Sequence, residues 1–311
     1  MASFDVGAFP DQHGRTAIVT GGNGGIGLEA ARMLAQKGAR IVLGCRNAEK
    51  AKAAVDAIGA AVPGAEVEVL PLDLSSLASV RDFARAYGAR HARLDLLINN
   101  AGVMAIPRRD TADGFEMQLG TNHLGHFALT GLLLELVLGT PGARVVNVAS
   151  SAHRAGKMNF DDLQSRESYA RWGAYGQSKL ANLLFTFELQ RRLAAARATQ
   201  ICVACHPGYA ATDLQFVGAR MDGSRLFALA AGIGNRLLAQ SAEQGARPAV
   251  QAALGPDVKG GDYWGPNGFA ELWGDPKRVG CSARARSAED ARRLFGVSEE
   301  LTGVRYAALP D

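Results

Sequence analysis

Five of the seven residues from 21 to 27, within "IVTGGNGGIG", are glycine. Each glycine raises the entropy cost of ordering the chain. Such a density belongs where the backbone must stay bare and close to something else. Ile18, Val19 and Thr20 read as the end of a buried strand. From Ile26 the pattern becomes helical, with Ile26, Ala30, Met33 and Leu34 on one face. Strand, glycine turn and helix in this order present free N–H groups at a helix N-terminus, the place where a pyrophosphate sits.

The same alternation continues along the chain. Arg40–Cys45 reads as a second strand, Ala48–Ala60 as a helix and Val67–Leu70 as a third strand. Ser75 and Ser76 offer N-caps to the helix that follows. Leu94–Ile98 is a fourth strand, 115–138 a long helix, "ARVVNVAS" a fifth strand, Tyr175–Leu193 a long helix and Gln200–Ala204 a sixth strand. The strands are unbroken Val/Ile/Leu runs, as expected where helices cover both faces of a sheet. The predicted fold class is therefore α/β: a doubly wound, Rossmann-type parallel sheet in one domain, with 1–14 as an extension. At 311 residues, 48% of them hydrophobic, the chain has ample material for such a core. Two stretches, 151–172 and 209–240, break the rhythm, and long irregular connections in compact domains tend to be functional.

Several function classes are set aside by composition. The net charge of +4 is scattered rather than gathered into a basic stripe, so nucleic-acid binding is not expected. "MASFDVGAFPDQHGR" lacks the apolar run of a signal peptide. The longest apolar stretch, Leu124 to Leu138, contains His126 and Glu135 and falls short of the ~20 residues of a membrane span. Four cysteines suit a reducing cytoplasm. Cys202 and Cys205 are three apart on a predicted strand, so they point to opposite faces and are expected to fill core rather than act as a redox pair. No metal site is expected.

Further motifs stand at the predicted strand ends. The opening turn is T-G-x-x-x-G-x-G, with Thr20, Gly21, Gly25 and Gly27; "NNAG" spans 99–102, "VNVASS" 146–151, "YGQSK" 175–179 and "HPG" 206–208. Tyr175 and Lys179 are four apart and share a helical face. A nearby ammonium favours tyrosinate and draws the phenol down from about 10, which makes Tyr175 a candidate general acid/base. Together, in this order, these motifs resemble the short-chain dehydrogenase/reductase family over nearly the whole chain. The insert after Ser150, with "SKLANLLFTFEL", is similar to its retinol-dehydrogenase-like and WW-domain-oxidoreductase-like branch.

That resemblance implies hydride transfer between a nicotinamide and a ketone or aldehyde carbonyl, or its alcohol. It implies Tyr175 as the proton donor, Lys179 as the group that holds the ribose, and Ser150 as the donor to the substrate oxygen, with Ser151 the alternative. Asn122, in "TNHLGHF", matches the asparagine of a proton relay. Gly21, Asn23, Gly25, Ile26 and Gly27 would cradle the pyrophosphate. Asp73 and Leu74 would meet the adenine, Asn99, Ala101 and Gly102 the ribose, and Pro207, Gly208 and Thr212 the nicotinamide. An acid at the end of the second strand binds the ribose 2′-hydroxyl of NAD. Here Cys45 stands there, followed by Arg46 and, a turn later, Lys50, so NADP(H) is preferred, with NAD(H) the alternative. The apolar residues of 209–240 suggest a lid over a lipophilic substrate. A homodimer through the helices 115–138 and 175–193 is a further implication. The competing reading is a non-catalytic NADP-sensing regulator, a type that typically lacks the Tyr/Lys pair kept here.

Overall fold

Apolar β-branched residues in short runs build the centre of the molecule. In the computed structural model, which describes residues 4–210 and 240–311, β1 (Thr16–Thr20) is buried along its whole length. Beside it lie β2 (Arg40–Cys45) and β3 (Val67–Pro71) on one flank. On the other flank lie β4 (Leu96–Asn99), β5 (Arg144–Val148), β6 (Ile201–Cys205), β7 (Tyr263–Pro266) and β8 (Pro276–Arg278). The sheet order among the described residues is β3-β2-β1-β4-β5-β6-β7-β8. All pairings are parallel except β7 with β8. The order reverses direction between β1 and β4, and the crevice at their carboxyl ends is the ligand-binding position of such sheets.

Alternation along the strands feeds two core layers. Ala17, Val19, Ile41 and Leu43 pack on one face against α1 (Gly25–Gln36), α2 (Ala48–Ala61) and α8 (Ala242–Leu254). Ile18, Val42 and Leu97 pack on the other. There they meet α3 (Leu77–Gly88), α5 (Gly125–Leu132) and α7 (Arg171–Ala195). Cys205 belongs to the first layer and Cys202 to the second, as the strand reading of the pair expects. Burial pushes the Cys205 thiol up to about 12 and raises that of Cys202 as well. Of the two predicted cap serines, Ser76 caps α3, while Ser75 turns back to Asp73.

The structure departs from the sequence reading in three places. The expected helix 115–138 is broken into α4 (Met117–Leu119), a π-turn at Gly120–Leu124, α5 and α6 (Leu134–Leu138). The extra residue of the π-turn sits where Asn122 reaches the backbone of Val103, and such bulges recur at functional sites. β7 and β8 carry Gly265, Pro266 and Pro276, residues that weaken the strand signal and are tolerated near a sheet edge. The helix α9 (Ala288–Thr302) returns over α5 and α7. Phe295 meets Phe127 and Tyr306 edge to face, with ring centroids 5.0 and 4.9 Å apart, and the Tyr306 hydroxyl donates to Phe127 O at 2.7 Å. Both helices implied in pairing of two copies are thus partly covered by the chain's own C-terminal region.

The Phe127–Phe185–Phe295–Tyr306 cluster ties that region to the body. Phe295→Ala should cost about 3–5 kcal/mol of stability, the range for emptying a buried phenylalanine site. Urea unfolding of the variant against the parent measures this, and a loss under about 1 kcal/mol would show that α9 is not integral to the fold.

Candidate active site

The fully buried Thr20 ends β1, and its hydroxyl is the nail of the crevice. It accepts from the backbone N–H of Asn100 at 2.9 Å and of Ala101 at 3.0 Å, and lies 2.8 Å from His126 Nε2. Asn100 Nδ2 returns a bond to Thr20 O at 2.8 Å. The glycine turn is therefore locked to the loop after β4, and the glycines are needed for that approach. A Cβ on Gly27 would lie 2.5 Å from Asn100 Nδ2 and 2.6 Å from Gly21 O; one on Gly21, at φ +65°, would meet Ala101 at 3.0 Å. Beyond Gly24 the space is open, and α1 begins there without a side-chain cap. Its free N–H groups and positive dipole end fit an anionic diphosphate. Asn23 and Ile26 border the same turn, Ile26 packing towards Gly245 of α8.

The end of β2 is a thiol rather than an acid. Backbone N–H groups of Gly22 and Asn23 point at the Cys45 sulfur, and burial pushes that thiol up to about 11. Arg46 is 75% exposed on its side chain and lies 3.7 Å from Asp73, with Lys50 in the first turn of α2. Asp73 accepts from Ser75, while Leu74 is buried in the second core layer.

Three catalytic candidates converge on the other side of the crevice. Tyr175 and Lys179 stand on one face of α7, with the ammonium 5.9 Å from the ring centroid. The Ser150 side chain hydrogen-bonds the Tyr175 hydroxyl, whereas Ser151 is exposed at the start of a 3-10 turn. Lys179 donates to Val148 O at 2.9 Å, and Gly102 is bordered by both Lys179 Nζ and Asn122 Oδ1. Asn122 itself accepts from Val103 N at 2.8 Å and donates to Val103 O and Ser178 Oγ at 2.9 Å.

Electrostatics run against one expectation. Burial pushes the Tyr175 phenol up to about 12, against the opposing pull of the Ser150 hydrogen bond, and pushes the Lys179 ammonium down to about 8. The lowering by Lys179 that the spacing suggested is absent: desolvation sets the direction for the phenol, and the ammonium is turned to Val148 O. A second tyrosine, Tyr169, spends its hydroxyl on Ile106 O at 2.9 Å and Gln118 Nε2 at 2.9 Å.

Asn99 also differs from its expected place. Its side chain is buried between the sheet and α5, where it donates to Thr130 Oγ1 at 3.0 Å and Asn147 Oδ1 at 2.8 Å. Its neighbour Asn100, inside the same "NNAG" motif, makes the bonds that shape the crevice. At the end of β6, Gly208 has φ +68° and Pro207 precedes it. Thr212 and most of the 209–240 segment lie outside the described residues; its ends meet through Gln240 N to Tyr209 O at 2.9 Å.

Gly27→Ala should lower the melting temperature markedly, since its Cβ meets backbone and a pinned amide. Gly24→Ala, at an extended φ of 173° in open space, should leave it unchanged. Thermal unfolding of the pair checks the contrast, and equal stability would refute the close approach at Gly27.

Comparison with known proteins agrees with this geometry. A family model described as short chain dehydrogenase matches residues 15–217. Human retinol dehydrogenase 12 is 43% identical over 295 residues, covering 94% of this chain and 88% of that protein. Among solved structures, an uncharacterized protein from Mycobacterium paratuberculosis superposes with a TM-score of 0.79 at 40% identity, covering 98% of this chain and 99% of that one. The Pseudomonas aeruginosa RhlG/NADP active-site complex matches with a TM-score of 0.63 at 26% identity, over 81% of this chain and 94% of that one.

Proposed function

The chain belongs to the short-chain dehydrogenase family, on its retinol-dehydrogenase-like branch, and from this premise we propose that it is an NADP(H)-dependent oxidoreductase interconverting a lipophilic carbonyl compound and its alcohol. The observation that carries this reading is the convergence of Ser150, Tyr175 and Lys179 beside an uncapped, glycine-bared helix N-terminus. NADP is the ligand in the RhlG complex, and the preference for it here rests on Cys45, Arg46 and Lys50 in place of an acid. The lipophilic substrate class is supported by the apolar sequence of 209–240 and by the name retinol dehydrogenase carried by the relatives. Among the described residues no helix is long and apolar enough to cross a membrane. A cytoplasmic location goes with this reading, supported by four free cysteines. Pairing of two copies along α5 and α7 would have to include α9.

Bound NADPH supplies the hydride for carbonyl reduction, and the oxidised form accepts it in the reverse direction. Gly21, Gly25 and Gly27 with the α1 N-terminus would hold its diphosphate, Arg46 and Lys50 the 2′-phosphate, and Gly102, Pro207 and Gly208 the nicotinamide half. Ser150 donates a hydrogen bond to the substrate oxygen as negative charge develops there. Tyr175, protonated at neutral pH because burial raises it, gives its proton to the same oxygen. Lys179 and Asn122 frame Gly102, fix the ribose side of the crevice and carry the proton path back to the phenol. The intact triad favours the enzyme over a non-catalytic sensor.

Tyr175→Phe keeps the ring and removes the proton donor. Turnover on a panel of ketones, aldehydes and quinones should fall about 10²–10⁴-fold while NADPH affinity survives. Ser150→Ala should follow it and Ser151→Ala should stay near the parent. Full activity in Tyr175→Phe would sink the mechanism.

Arg46→Ala tests the cofactor. It should weaken NADPH by about 1.5–3 kcal/mol, the worth of a hydrogen bond to a charged group, and leave NADH nearly untouched. Calorimetric titration measures both, and equal affinities of the parent for the two cofactors would remove the 2′-phosphate assignment.

A further inference from the structure

Glu271 lies outside every sequence motif, in the loop between β7 and β8, yet it stands between two of them. Ala270 and Glu271 are consecutive non-glycine residues with left-handed φ of +50° and +60°. Such backbone persists only when its surroundings over-determine it, and it concentrates at functional sites. The surroundings here are specific. Glu271 Oε2 lies 3.2 Å from His206 Nε2, on a bent approach, and 3.2 Å from Arg154 Nη2. His206 is fully buried, and its Nδ1 accepts the Gly208 N–H at 3.3 Å, so the ring carries its proton on Nε2, towards the carboxylate.

Each partner leads to the reaction site. His206 opens "HPG" and holds the Gly208 amide; the carbonyl of Leu272, next to Glu271, accepts from Tyr209 N at 2.8 Å. Arg154 also donates to Gly280 O at 2.9 Å. Its neighbour His153, fully buried, joins Ser150 O at 2.6 Å to Ser282 N at 3.2 Å. One carboxylate therefore sits at the junction of the loop bearing Ser150 and the loop bearing Pro207 and Gly208. The Glu271 carboxyl is held down at about 2, first by the His206 N–H and then by Arg154, so it is ionised across the working range.

We propose that Glu271 is a positioning residue for hydride transfer, which through His206 and Arg154 keeps the nicotinamide-flanking loop and the Ser150 loop in one register. It touches neither substrate nor cofactor, and the proposal rests on the cofactor reading given above. A carboxylate that merely stabilises a surface loop would affect melting temperature and all ligands alike. A positioning carboxylate acts on the nicotinamide half alone.

The test uses the full chain with Glu271→Ala and Glu271→Gln, two binding probes and steady-state kinetics. NADPH reports both halves of the crevice, and adenosine 2′,5′-bisphosphate reports only the adenine half. In Glu271→Ala, kcat should fall about 10- to 100-fold, as for small misplacements of reacting groups. NADPH should bind about 3- to 10-fold more weakly, the worth of one hydrogen bond, with bisphosphate affinity unchanged even though loss of the His206 and Arg154 contacts lowers the melting temperature. Glu271→Gln keeps an acceptor for His206 and Arg154 and should recover much of kcat. Parallel loss of affinity for both ligands, or no change in kcat, overturns the proposal. A parent protein that binds bisphosphate and NADPH not at all overturns the cofactor reading itself, and this proposal with it.

Discussion

The hydroxyl of Thr20 is the bond on which the crevice depends. It is fully buried at the end of β1, where the sheet order reverses, and it gathers two backbone N–H groups of the loop after β4. Without it the Ala101 N–H would lose this partner, a cost of about 1–3 kcal/mol, whereas the Asn100 N–H is shared with Ile98 O at 3.0 Å. His126 braces the same oxygen from α5, and burial pushes that imidazole down to about 4, so it remains neutral. The glycines follow from this bond: once the two loops are nailed together, Gly21 and Gly27 have no room for a Cβ.

A second polar system runs beneath the site. Asn99 and Asn147 link side by side across β4 and β5, and Asn147 continues to Thr186 at 3.0 Å on α7. Lys179 and Asn182 of the same helix both donate to Val148 O, at 2.9 and 3.2 Å. Helix α7 is thus fixed to the strand ends by buried polar bonds rather than by apolar packing alone. In a low-dielectric interior such bonds favour one arrangement, although Asn99 Oδ1 is left without a partner. That is the requirement for holding Tyr175 and Ser150 in register across two elements.

Burial acts on both members of the Tyr175/Lys179 pair, in opposite directions on the pH scale. The phenol is raised to about 12 and the ammonium lowered to about 8, each because its charged form is desolvated. At neutral pH the tyrosine holds its proton and the lysine keeps its charge. This state suits proton donation to a reduced carbonyl oxygen. The reverse direction needs the phenol to lose its proton against that desolvation.

What the sequence by itself determined is what depends on local order. The strand–glycine–helix start, the parallel alternation, the Tyr175/Lys179 face and the opposite faces of Cys202 and Cys205 all follow from periodicity or spacing, and family likeness supplied the roles. Tertiary structure decided what depends on partners distant in the chain. The period of "LLINN" could not say that Asn99 turns inward and Asn100 outward to Thr20. Helix 115–138 looked continuous until Asn122 found Val103 across a π-turn. Nothing near Glu271 in sequence marks it, because its partners are 65 and 117 residues away along the chain. The Tyr175 phenol moved up rather than down for the same reason. Spacing shows that a charge is near, but only the packed fold shows how much water has been removed.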